Sequence, residues 1–72
     1  MKTFIDIMNE SIEAMEKLIE NEDDLMEYFQ KYDMDISINI CQNTISKYQL
    51  RIDAHKFAIL VYNTTEIYKG EK

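Results

Sequence analysis

In the first part of the chain, apolar residues recur at Ile5, Met8, Ile12, Met15, Ile19, Met26 and Phe29, with Phe4, Leu18 and Leu25 beside them. Such spacing is the period of a helix that turns one stripe toward a core. The series is interrupted at Glu22, a core position that carries a carboxylate inside the run Asn21-Glu22-Asp23-Asp24. Asp24 followed three residues later by Glu27 reads as a capping box. Two arrangements fit: one helix over about residues 3–32, or two helices broken near 21–23. The break is preferred, because a helix that long is unusual in a small domain.

From Met34 the pattern changes to alternation. Met34, Ile36, Ile38 and Ile40 alternate with Asp35, Ser37, Asn39 and Cys41, as in a half-buried strand. Tyr48, Leu50 and Ile52 alternate with Lys47, Gln49 and Arg51 and predict a second strand, with residues 42–46 as a loop or bulge because Ile45 falls out of phase. Asp53-Ala54-His55-Lys56 is expected to turn the chain into a third strand, Phe57–Tyr62, apolar on both faces. The tail from Asn63 fits either a short helix or a fourth strand. The fold expected is therefore α+β: an N-terminal helix or helix pair packed on a small antiparallel sheet of three or four strands. Residues 1–72 form a single domain, helical over 3–32 and β-rich over 34–69.

Composition narrows the class. A chain of 72 residues suffices for one domain and buries only about 60% of its unfolded surface, so it gains from a disulfide, a metal or a partner chain. Cys41 is the only cysteine, which excludes an internal disulfide. The start Met1-Lys2-Thr3-Phe4-Ile5-Asp6 lacks the apolar run of a signal peptide, and the longest unbroken apolar stretch, Phe57–Tyr62, is too short to cross a bilayer. A cytoplasmic protein with no membrane partner is expected.

Catalytic and cofactor machinery is missing from the pattern, and no cofactor or metal is expected. Gly70 is the only glycine, so no phosphate-cradling loop can form. His55 and Cys41 stand alone on different predicted elements and do not make a zinc site. Asp33, Asp35, Ser37 and Asn39 imitate the alternating oxygens of a calcium loop, but Ile38 stands where its glycine belongs and Thr44 where its closing glutamate belongs. His55 with Asp53 and either Ser37 or Ser46 supplies the parts of a nucleophilic triad without the strained elbow or oxyanion site that would activate them. The chain reads as non-enzymatic.

Charge is the most informative feature. Residues 1–35 carry eleven acids and three bases, a net of −8, whereas residues 36–72 carry three acids and five bases, a net of +2. Asp6, Glu10, Glu13, Glu20, Asp24 and Glu27, interrupted by Lys17, fall at helical spacing on the side away from the apolar stripe. An ordinary amphipathic helix with an acidic outer face explains this. So does a negative ridge that imitates a row of phosphates and docks in the basic groove of a nucleic-acid-binding protein. In size, acidity and composition the chain resembles, as a class and without a shared motif, the small anti-CRISPR and anti-restriction inhibitors of phages and mobile elements. The leading expectation is an inhibitor of that kind. A homodimeric structural or regulatory subunit pairing through Phe57, Ile59, Leu60, Val61 and Tyr62 is the alternative. Direct nucleic-acid binding through Lys47, Arg51 and Lys56 is disfavoured by the net charge of −6.

Overall fold

The computed structural model of the protein describes residues 1–70, and side chains for residues 1–65. Two helices account for almost all of it: α1 (Phe4–Lys31) and α2 (Asp35–Gly70), joined by Tyr32-Asp33-Met34. They fold back on each other as an antiparallel hairpin, a slab with principal extents of 61 × 21 × 11 Å.

The expected α+β fold is wrong. Among the described residues there is no strand, and the three segments assigned to a sheet (34–41, 47–52 and 57–62) lie almost wholly within α2. The turn expected at Asp53–Lys56 and the loop at 42–46 are helical as well, and the backbone past Asn63 continues the same helix to Gly70. Nor is α1 broken near 21–23. Threonines, which lose side-chain freedom in helices, are accommodated by bonding back one turn: Thr44, Thr64 and Thr65 donate to the carbonyls of Ile40, Leu60 and Val61, each at 2.9 Å.

The helix ends follow from local chemistry. Thr3 caps α1: its hydroxyl accepts from the Asp6 N–H, and the Asp6 carboxylate accepts from the Thr3 N–H, each at 3.2 Å. This is the reciprocal capping box, whereas the Asp24–Glu27 pair expected to form one lies inside unbroken α1. At the other end Asp33 takes the left-handed conformation (φ 52°). Its N–H donates to the Gln30 carbonyl at 3.4 Å, and the Met34 N–H reaches the Phe29 carbonyl at 3.1 Å. Those two bonds make a Schellman closure, with aspartate where glycine is usual. The Met34 carbonyl then accepts from Ile38 at 3.0 Å and starts α2.

The core is a single seam. Along α1, Ile5, Met8, Ile12, Met15, Ile19, Glu22, Met26 and Phe29 are all buried or half-buried, at steps alternating three and four. Along α2 the same steps connect Ile38, Cys41, Ile45, Tyr48, Ile52, His55, Ile59 and Tyr62. These are heptad a and d positions, with a starting at Ile5 and Ile38, and isoleucine fills every a position of α2 in the hairpin. Two contacts set the register: the Phe4 and Tyr62 rings, 4.9 Å apart, and Ser11 Oγ to His55 Nε2, 3.2 Å; Glu22 neighbours Cys41 across the seam. Ile12, Met15 and Ile52 form the buried centre, flanked by Ile19, Tyr48 and Ile59.

Candidate interaction site

A hairpin of two helices has a seam, two broad faces and two outer edges, and the side chains divide sharply among them. The e positions of both helices (Asn9, Glu16, Asp23 and Gln30; Asp35, Gln42, Gln49 and Lys56) are polar and exposed. On the opposite side of the seam run the g and c positions. Those of α1 carry Phe4, Ile7, Leu18, Leu25 and Tyr28, all exposed. Those of α2 carry Ile40 and Val61, exposed, and the small half-buried Ser37, Thr44 and Ala58. Both helices thus turn apolar positions to one broad face, because g residues of antiparallel neighbours meet on the same side of the seam. The contacts of Phe4 with Tyr62 and of Ser11 with His55, each from a g position of α1, lie on that side.

This face was not expected from the sequence, yet it has a signal there. Phe4, Ile7, Ser11, Ala14, Leu18, Asn21, Leu25 and Tyr28 repeat the three-four spacing of the core stripe, one residue out of phase. In the sequence reading Phe4, Leu18 and Leu25 are only neighbours of the core stripe. In the structure they are a second stripe that α2 leaves uncovered. On α2, Ile36, Leu50 and Phe57 lie farther round, at f, and are 78%, 70% and 65% exposed. A helix with apolar residues on nearly opposite sides is normally covered on both.

The six acids of the expected ridge are brought together as one line. Asp6, Glu13, Glu20 and Glu27 occupy b, Glu10 and Asp24 occupy f, and all are exposed. The line runs along α1 for roughly 32 Å at the helical rise. Only Glu10 has an ion pair among the described residues, with Lys2 at 2.8 Å. Glu13, Glu16, Lys17 and Glu20 border an open, shallow depression on this side.

The residues expected to pair as a strand are dispersed by the helix. Ile59 packs into the seam, Tyr62 stacks on Phe4, Val61 joins the apolar face, and Phe57 and Leu60 point outward. Strand pairing through 57–62 is therefore ruled out: the segment is helical, with Ile59 in the seam and Phe57, Leu60 and Val61 exposed. Lys47 and Arg51 sit at c and g of α2, near the middle of the apolar face, and Lys56 sits at e on the polar one.

The candidate chemical groups do not assemble into a reactive site. Asp53, two residues before His55 on one helix, faces away from it. Ser11, rather than Ser37 or Ser46, is the serine at His55. Burial pushes the Cys41 thiol above its ordinary value, and the neighbouring Glu22 carboxylate pushes it further. The thiol is thus held protonated and is a poor nucleophile or metal ligand. No cluster of three metal-ligating side chains exists among the described residues, and Asp33, Asp35, Ser37 and Asn39 are spread over the loop and the first turn of α2. None of the described helices is long and apolar enough to cross a membrane.

Neither protein-family models nor curated proteins nor solved structures give a match to this chain.

Proposed function

We propose that this chain is a non-enzymatic protein-binding hairpin, which completes its core by packing its g/c face against the helices of a partner. One observation carries the reading: large apolar side chains from both helices line one broad face, whereas the other broad face is polar. Scattered exposed hydrophobics are ordinary on any surface, but five large ones aligned along one side of a helix (Phe4, Ile7, Leu18, Leu25 and Tyr28) are a mark of association. The test is capture with the tagged full chain from cells that also express an untagged copy. Wild type is compared with Leu18→Glu/Leu25→Glu and with Glu13→Lys/Glu20→Lys/Glu27→Lys. Retained protein should disappear with the first pair of changes and persist with the second set; retention unaffected by the first pair sinks the reading.

The acidic ridge supports a second reading, in which the hairpin blocks the basic groove of a nucleic-acid-binding protein as phage and mobile-element inhibitors do. Its specific support is that all six carboxylates remain exposed along one line. Loss of a nucleic-acid-binding protein with the charge-reversed variant, and not with the apolar-face variant, is the result that would place this reading first.

A further inference from the structure

We infer that the loop end of the apolar face docks a basic segment of another protein, with an arginine of that segment lying against Tyr28 and Tyr32. The inference deepens the protein-binding reading above and rests on it.

An uncovered apolar patch gathers where the helices meet their connection. Leu25 and Tyr28 of α1, Tyr32 and Met34 of the connection, and Ile36 and Ile40 at the start of α2 are all exposed. Asp33, Met34, Asp35, Ile36 and Ser37 line an open, shallow depression at the same end.

The two tyrosines lie one helical turn apart. Their ring centroids are 5.0 Å apart with the planes tilted by 50°, and the residues are 55% and 63% exposed. Rings offered to solvent in this way attract a cation to their faces. A guanidinium gains most, because it stacks flat on a ring while its N–H groups bond elsewhere. Carboxylates stand ready for those N–H groups. Asp24 precedes Tyr28 by one turn, on the line that continues to Tyr32, and Asp33 follows Tyr32 directly.

Charge selects the partner. Residues 21–40, which make up this end, carry six acids and one base, a net of −5, whereas the rest of the chain carries a net of −1. Lys31, that one base, makes no ion pair among the described residues, and neither do Asp24, Glu27 and Asp33. A partner cannot cover Leu25, Tyr28, Tyr32 and Ile40 without taking water from the carboxylates around them. A neutral surface leaves those charges poorly solvated, and an acidic one repels them. A basic segment offsets them, and arginine, unlike lysine, matches both the rings and the carboxylates. The middle of the same face carries Lys47 and Arg51 instead, so the basic segment belongs to the loop end alone.

The full chain is titrated with capped hexa-arginine and hexa-lysine peptides at about 150 mM salt, where equal peptide charge separates stacking from general attraction. Hexa-arginine should bind about 5-fold more tightly, the size expected of stacking at an exposed site. Tyr28→Leu/Tyr32→Leu should abolish that preference. Both sites are exposed and stay apolar, so the helices remain intact, as far-UV circular dichroism checks. Asp24→Asn/Asp33→Asn should weaken both peptides by about 5-fold. In nuclear magnetic resonance spectra the ring protons of Tyr28 and Tyr32 should shift as hexa-arginine is added. Equal affinities, a preference that survives Tyr28→Leu/Tyr32→Leu, or shifts confined to the acidic line between Asp6 and Glu20 would each overturn the inference. So would no binding of either peptide at about 1 mM. If one of these is found while Leu18→Glu/Leu25→Glu still abolishes capture, the inference falls alone and the protein-binding reading stands.

Discussion

Glu22 shows how one residue misleads and how the fold accommodates it. A carboxylate in the apolar stripe suggests a helix break, yet Glu22 occupies a d position within unbroken α1, half-buried beside Cys41. Two features make this tolerable. The side chain is not sealed from water, and its neighbour on the facing helix is a neutral thiol. The sequence holds both residues but not their proximity, so the pair was illegible there. The pairing has a pH consequence. The folded thiol is raised above its ordinary value of 9.0, so the stability it contributes is whole below that pH and is lost as pH climbs through the raised value. Urea midpoints should therefore fall in that alkaline range. Glu22→Gln keeps the size and removes the charge, so thiolate absorbance should then appear at lower pH and the alkaline loss should shrink.

At the scale of elements, the caps and the seam carry the argument. Thr3 and Asp6 satisfy two donors that the start of α1 would leave orphaned. Thr3→Ala should cost about 1 kcal/mol in chemical denaturation. Asp33 adopts a left-handed conformation that costs any residue with a Cβ, so Asp33→Gly should gain up to about 1 kcal/mol and Asp33→Val should lose stability. Ile52 is 3% exposed at the middle of the seam, and Ile52→Ala should cost about 2–5 kcal/mol. The acidic line and core stripe of α1 were legible because both sit on one amphipathic helix. The helical state of α2 was not. Its core stripe includes Ile38 and Cys41, and its outer stripe includes Ile36 and Ile40. Interleaved, two heptad stripes on opposite sides of a helix produce alternation, the signature of a strand. Isoleucine strengthened that impression. The contrary signal was the lack of breakers: α2 has no proline, and its only glycine is Gly70, so the turns a meander needs had no turn chemistry.

At the scale of the molecule, a two-helix slab is mostly surface. Each helix has one neighbour, and the face away from the polar side is left apolar. Association that buries this face couples folding to concentration, since a partner that binds only the folded hairpin stabilises it by mass action. Thermal unfolding by circular dichroism should therefore move upward by several degrees as a captured partner is titrated to saturation, the size expected of a few kcal/mol in so short a domain. Leu18→Glu/Leu25→Glu should remove that dependence.

By itself the sequence determined what one helix settles alone: the stripe and acidic line of α1, the imbalance of charge between the halves, and the absence of spacings that build phosphate, metal or nucleophile sites. These depend on residues a few positions apart, whose relative placement local geometry dictates. Only the tertiary structure decided that α2 is a helix, that Glu22 meets Cys41, and that Phe4, Leu18 and Leu25 belong to an uncovered face. Alternation over short stretches fits a strand and a two-faced helix equally well. The choice between them is made by the seam with α1, where residues far apart in sequence bury one another.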